Sequence, residues 1–513
     1  MAQFFLDIKR KVFSCLLPIS IFILWYFASL YHWMPMQILP TPYEVWDVFL
    51  YLLKEENLTS NIEISVVRVV VGIGLGALLG FIFGLLFGYS KRFYAFFYVT
   101  FFGLSILPSL ALLPILIIWL GLGEALKIFL IFKASFIPIA IHTYNGVQTI
   151  SPKLLEVAQS LQLSKRHIIQ KLVIPSLLPQ FFIGLRIATA SAWSTLIAVE
   201  LIASSEGLGY LMTYGRQLFL LDIVFLTIIL IALVGICLDA LIQIIEKKIV
   251  NYPRLALTTA NQAIKKPFSF LFILFPTLLL IVWSVITSFH WISPNLLVSP
   301  YLVFKQYFSD LYLYQCLWQT LIRTVIGLSI GTAFGILLGI LTGTNKTLDA
   351  LFTPTLDTFR LITVFAWLPL LTAWFGLGDF SKIVFIVIST FFPIFTTISK
   401  SIHDVPTQLK EVTQIFHFSK TKTIQKLIIP QIAPNFFSGF KVALLYAWMA
   451  SFGVEYLIGS GTGIGIYMMD AQQSFNIAEV LAATFLIAGL GLFFNTLGSK
   501  LEKFASAWRF NGK

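Results

Sequence analysis

Charge is scarce in this sequence. Only 11% of its 513 residues are Asp, Glu, Lys or Arg, against about 25% in soluble domains, which excludes a water-soluble fold. Cysteine is nearly absent: Cys15, Cys237 and Cys316 lie in or beside apolar segments, without metal-ligand spacing or a paired framework, so neither a disulfide scaffold nor a metal centre is indicated. The phosphate-binding pattern G-x-x-x-x-G-K-[ST] is missing, and the densest glycine cluster, Gly459-Ser-Gly-Thr-Gly-Ile-Gly465, lacks the lysine. No nucleophile constellation and no catalytic carboxylate pair is present either. The expected catalytic residues are none, and the chain does not read as an enzyme.

Hydrophobic residues make up 58% of the chain, and the mean hydropathy is +0.89. Apolar stretches of about 20 residues, enough to cross ~30 Å of hydrocarbon, recur along the sequence. They are continuously apolar, whereas barrel strands alternate, so the reading is an all-α integral membrane protein. About twelve transmembrane helices are expected, near residues 12–31, 62–89, 93–119, 125–147, 176–203 and 222–245, then 268–289, 317–344, 348–374, 380–402, 431–457 and 478–498. Lys9, Arg10 and Lys11 precede the first run, which reads as an uncleaved helix because no small-residue cleavage site follows. The net charge of +12 is concentrated in alternate loops. It therefore reports topology, with both termini and the central linker cytoplasmic, and says little about cargo or nucleic acid.

The two halves repeat. An offset of 255 positions pairs Arg68 with Arg323, Trp119 with Trp374, Glu156 with Glu411, Pro175 with Pro430, Trp193 with Trp448 and Glu200 with Glu455. Between Glu156 and Glu200, 20 of 45 aligned residues are identical, which marks an internal duplication. The organisation expected is a first repeat over 1–250, a cytoplasmic linker over 251–267 and a second repeat over 268–513, parallel because each half crosses an even number of times. Gly72, Gly76, Gly80, Gly84 and Gly88 recur every four residues, matched by Gly327, Gly331, Gly335, Gly339 and Gly343. Such a stripe permits a tight helix–helix contact or lines a pathway, the contact being the favoured reading.

One loop in each half is amphipathic, over 151–175 and 405–430. Ser151 and Pro152 suit a helix start, with Leu154, Leu155, Ala158 and Leu161 on one face; a second short helix is expected from about Ser164, ended by Pro175. An amphipathic helix of this kind serves either as a docking element for a soluble partner or as a helix lying in the lipid interface. Glu156-Val157-Ala158, followed by Ile174-Pro175, resembles the EAA loop of permease subunits of binding-protein-dependent ABC importers. The second copy, Glu411-Val412-Thr413 to Pro430, is similar. Further stretches, Leu107-Pro108 through Gly123, Pro179 through Ala188, Ala192-Trp193, Glu200 and Gly207-Leu208-Gly209, resemble the nitrate/sulfonate/taurine/bicarbonate branch, as does Ala366 through Gly378.

The resemblance implies a type I importer permease with both halves fused in one chain, translocating a small solute of the anionic kind. It also implies paired or homodimeric ATPase subunits holding ATP-Mg, an extracytoplasmic substrate-binding protein, membrane lipid as surroundings and an inner-membrane location. No cofactor is expected in this chain. Coupling to the ATPase falls to Glu156, Val157, Ala158, Gln162, Pro175, Glu411, Val412, Thr413, His417 and Pro430. The family usually has glycine where Gln162 and His417 stand, and prefers alanine where Thr413 stands, so a differently angled turn is expected. The same branch includes importers of thiamine-precursor-like heterocycles, and an ion-gradient-driven secondary transporter with two parallel halves also fits the duplication.

Ionisable residues inside spans are functional candidates. Arg360, expected mid-span with Ser105 as its counterpart, either attracts an anionic cargo or is neutralised by Asp357 three residues earlier. Glu200 and Glu455, near the outer ends of their helices, are expected to cap, to pair or to face the vestibule, and with Trp193 and Trp448, whose favoured role is packing, they complete the candidate pathway residues. Arg68 and Arg323 read as structural pairs or snorkelling side chains. The halves differ at Pro108/Thr363, Arg186/Lys441 and Ser105/Arg360, so cargo contacts are expected to be asymmetric.

Overall fold

The computed structural model describes residues 2–35, 37–54, 58–250 and 270–510; the 251–267 linker lies outside the described residues, as does the side chain of Val412. The first half contains α1 (Ala2–Leu30), α2 (Pro42–Lys54), α3 (Leu58–Tyr89), α4 (Lys91–Ile106), α5 (Leu113–Leu120), α6 (Glu124–Gln148), α7 (Pro152–Ser160), α8 (Lys165–Ile168), α9 (Ile174–Ala203), α10 (Leu208–Gln217) and α11 (Leu221–Ile249). The second repeats the series with α12 (Leu271–Ser288), α13 (Pro300–Ser309), α14 (Leu311–Thr344), α15 (Lys346–Phe359), α16 (Leu368–Phe375), α17 (Asp379–His403), α18 (Thr407–Ile415), α19 (Lys420–Thr423), α20 (Ile429–Ile458), α21 (Ile464–Gln473) and α22 (Ile477–Phe510). Each element thus has its counterpart eleven places later.

Among the described residues ten helices are long and apolar enough to cross a membrane, or twelve if each of two bent pairs is one span. The bent pairs correct the expected spans at 93–119 and 348–374. Lys91–Ile106 meets Ser109–Leu120 at 97°, and Lys346–Phe359 meets Val364–Phe375 at 90°. In the first half Pro108 removes a backbone donor and holds Leu107 extended (φ −67°, ψ 120°). The second half bends with Thr363 in that place, also extended (φ −60°, ψ 137°). The break therefore belongs to the unit and does not depend on the proline. Four short helices, α2, α10, α13 and α21, are absent from the sequence expectation; at 10 to 13 residues they are too short to cross hydrocarbon.

The glycine stripes are packing surfaces. α3 lies on α6 and α14 on α17. A Cβ added at Gly84 would stand 2.5 Å from the Ala140 carbonyl oxygen, and one at Gly335 2.8 Å from Ile394 Cβ. Only hydrogen fits between such backbones, and in lipid this close van der Waals fit replaces the hydrophobic effect as the force joining helices. The Ser135 hydroxyl crosses the seam to donate to the Gly72 carbonyl at 3.2 Å, as Thr390 donates to Gly327 at 3.4 Å.

The halves embrace reciprocally. α1 of the first half packs on α15 of the second, and α12 of the second packs on α4 of the first. The Trp119 indole N–H donates to the Leu296 carbonyl at 2.7 Å, and Trp374 donates to Ile38 at 3.1 Å. The contact is the same one made twice across a pseudo-twofold axis.

Candidate functional site

At one end of each half stands the amphipathic pair. α7 exposes Leu154 (41%), Val157 (54%) and, just beyond it, Leu161 (66%), while Ala158 turns inward. The expected single face of Leu154, Leu155, Ala158 and Leu161 is therefore divided. α18 presents Leu409, then Ile415 (73%) and Phe416 (68%) beyond it, and buries Thr413. Glu156 and Glu411 are exposed beside these apolar side chains.

Gln162 and His417 take φ of 52° and 48°, the left-handed region that favours glycine. Leu163 N–H bonds the Ala158 carbonyl at 3.1 Å, and Phe418 N–H bonds Thr413 at 2.9 Å. These are bonds across a left-handed helix end with an apolar residue following. Both turns thus adopt a left-handed backbone of the kind glycine takes readily.

Pro175 and Pro430 do not end helices, as expected of Pro175, but begin them. Each sits in the first turn of its spanning helix, α9 or α20. Lacking an N–H, the proline cannot close the usual bond, and the preceding turn widens: Ile174 N–H bonds the Ile169 carbonyl and Ile429 N–H bonds Ile424, five residues back. The amphipathic segment is thus joined to the span through α8 or α19 and one wide turn.

Of the roles open to Glu200 and Glu455, capping and pairing hold and the vestibule does not: they are 1% and 0% exposed and belong to buried networks. Arg68 donates to Glu200 at 2.8 Å and grips Glu124 with two nitrogens, at 2.5 and 2.7 Å. Ser65 donates to Glu200, and Gly209 N–H reaches the same carboxylate at 2.9 Å. The Leu208 N–H is met by Ser65 Oγ at 3.0 Å. Two of the N–H groups that open α10 are therefore satisfied by side chains from other helices, and the carboxylate faces the positive end of the helix dipole. Gly207 (φ 110°) lets the chain pass so close that a Cβ there would be 2.5 Å from Glu200.

The second half rebuilds this with Arg323 to Glu455 at 2.8 Å, Thr320 to Glu455 at 2.8 Å and Ile464 N–H to Thr320 Oγ1 at 2.9 Å. The repeat offset also pairs Glu124 with Asp379 at the ends of the Gly-Leu-Gly turns; what the sequence did not reveal is that these acids meet Arg68 and Arg323.

The space between the halves is a cavity of about 1000 Å³. Both helix breaks open onto it, and so do Trp193 and Arg360. Arg360 lies at the end of α15, in the break and not mid-span as expected, with its side chain 43% exposed and 3.7 Å from Asp357. Trp448 is not among the lining residues: it is 1% exposed and donates to the Ile487 carbonyl at 3.1 Å. Trp193 donates likewise to Ile231 at 3.1 Å. Lys133 and the Arg186–Asp239 pair (3.0 Å) also reach the cavity. Lys133 escaped the sequence reading, although a lysine within a span, opposite Ile388 in the other repeat, was a legible sign.

Two stretches, residues 72–251 and 331–505, match the family described as binding-protein-dependent transport system inner membrane component. The chain belongs to this family, once in each half. It is the transmembrane permease component of an ABC transport system, with two permease units in one chain, and the secondary-transporter alternative is not favoured. This permease is similar to SsuC of Escherichia coli, named for aliphatic sulfonates transport, at 36% identity over 237 residues, covering 46% of this chain and 90% of that protein. It is also similar to the taurine transport system permease TauC of E. coli, at 35% over 142 residues, 28% of this chain and 52% of that one. The bicarbonate transport system permease CmpB of Synechococcus elongatus is 27% identical over 161 residues, 31% of this chain and 58% of that one. The relatives are transport proteins and not enzymes, and an inner-membrane, multi-pass permease follows from the family and the apolar helices.

Proposed function

We propose that this permease imports a small organic or inorganic oxyanion of the sulfonate, taurine or bicarbonate kind, driven by two ATPase subunits that dock on α7 and α18. One copy supplies both halves of the channel, an extracytoplasmic binding protein delivers the cargo, and ATP-Mg is held by the ATPase. Both termini are cytoplasmic, which puts the amphipathic helices on the ATPase side. The observation that carries this reading is the pair of matched short helices with exposed apolar side chains, each joined to a spanning helix through a wide turn at a proline. Glu156, Val157, Ala158, Gln162 and Pro175, with Glu411, Val412, Thr413, His417 and Pro430, make up the coupling segments, Glu156, Val157 and Glu411 facing outward and Ala158 and Thr413 anchoring them from within.

The test is affinity purification of the tagged chain in mild detergent, with co-purifying proteins identified by mass spectrometry. An ATPase at two per chain is expected, and Val157→Asp with Ile415→Asp is expected to release it, since a buried unpaired carboxylate replaces an apolar contact in the groove. A chain that comes out alone and moves solute on an ion gradient without ATP overturns the reading.

A further inference from the structure

We propose that the cavity between the halves holds a transient anion site built asymmetrically, with Lys133 from the first half and Arg360 from the second contributing one cation each from non-equivalent positions. The inference rests on the proposed function, in which the cargo is a small anion, and adds where and by which groups the permease itself holds it.

Lys133 lies nine residues into α6, about 14 Å along the helix axis at ~1.5 Å per residue. It is well inside the span, where a cation without purpose is costly. Its ammonium donates to the Leu107 carbonyl at 2.7 Å and stands 3.5 Å from Ser109 Oγ, and no carboxylate pairs with it among the described residues. Both acceptors belong to the first helix break, so the charge is fixed at the cavity wall with a third N–H left over. Arg360 occupies the second break. It forms an exposed ion pair with Asp357 at 3.7 Å, beyond hydrogen-bond range, so its guanidinium fork keeps its donors for a ligand while the pair is worth little in itself.

The other charged lining groups are Arg186, paired with Asp239, and Glu246 on the same helix as Asp239. The repeat counterparts of the two proposed ligands are uncharged: Ile388 for Lys133 and Ser105 for Arg360. The axis therefore relates the two breaks but not the two cations, and the cavity receives one cationic side chain at each break. Apolar lining from Ile137, Ile141, Val364 and Phe365 leaves room for a short aliphatic tail beside the charged head. That combination fits a small alkanesulfonate better than a bare inorganic ion.

The test uses the whole complex, with its ATPase and binding protein, in liposomes, with radiolabelled ethanesulfonate as probe and nitrate and bicarbonate as competitors. Arg360→Gln and Lys133→Met are each expected to lower ethanesulfonate uptake at least about tenfold, the loss of one charge-assisted contact. The ATP hydrolysed per sulfonate moved should rise in proportion. Arg360→Lys, which keeps the charge at the second break, should recover part of the uptake. Arg360 makes no hydrogen bond that its replacement would lose, so its variant tests the site even where Lys133→Met disturbs the break. Wild-type uptake in both variants overturns the inference, as does a fall in uptake with an unchanged ATP-to-sulfonate ratio. A wild-type complex that takes up none of the three anions overturns the cargo class itself.

Discussion

At the scale of residues, the two halves show how one methylene changes a buried network. Glu124 is long enough to bind both Nε and Nη2 of Arg68. Its counterpart Asp379 reaches only Nη2 of Arg323, at 2.8 Å, and the buried Nε of Arg323 has no partner. A buried donor left unsatisfied costs about 1–3 kcal/mol. Asp379→Glu is therefore expected to stabilise the permease by roughly 1 kcal/mol, read as a rise in midpoint temperature in detergent, whereas Glu124→Asp should lower it. Equal midpoints for the two variants and the parent would show that solvent already serves the Nε. Glu455→Ala should destabilise far more, about 3–5 kcal/mol, because it strands a buried guanidinium and exposes the start of α21.

At the scale of elements, the glycine stripes separate packing from helix propensity within one helix. Gly80 presses on α6, where a Cβ would stand 2.9 Å from the Phe136 carbonyl oxygen, while Gly74, on the same helix, has nothing within 4 Å. Gly80→Leu forces the seam apart and is expected to cost about 1–3 kcal/mol or more. Gly74→Ala should be neutral or stabilising by up to ~1 kcal/mol, since alanine is the better helix former. Thermal unfolding of the two variants side by side checks this, and equal losses would mean that the stripe is not a contact.

At the scale of the whole molecule, a shared core holds the halves together, with Leu110, Ala111 and Leu113 of the first half in one buried cluster with Trp448, Ala450 and Leu481 of the second. α1 and α12 each lie on the other half, and almost none of the apolar window of either is buried: 11% for α1 and none for α12. The wide contact of the two halves does not depend on a covalent join. Co-expressed fragments 1–250 and 270–513 are therefore expected to purify together, one tag retrieving both. Trp119→Phe with Trp374→Phe, which removes the two reciprocal indole bonds, should weaken that retention. Fragments that do not find each other would show that the linker is required.

Much of this architecture is legible in the residues alone. The count and class of helices follow from the length and composition of the apolar runs, because lipid leaves a backbone few ways to satisfy its hydrogen bonds. The duplication and the amphipathic segments are equally written in residue spacing. The breaks at 97° and 90° are not legible there, since an apolar run reads the same whether it is straight or folded on itself. Nor is the choice for Glu200 and Glu455 among capping, pairing and facing the vestibule: an acid near a span end looks alike whether it meets water or a buried arginine from a helix more than a hundred residues away. Local sequence determined the elements, their order and their repetition. Only the tertiary structure decided which charges neutralise one another in the wall and which remain facing the central cavity, because that depends on contacts between helices distant in the chain.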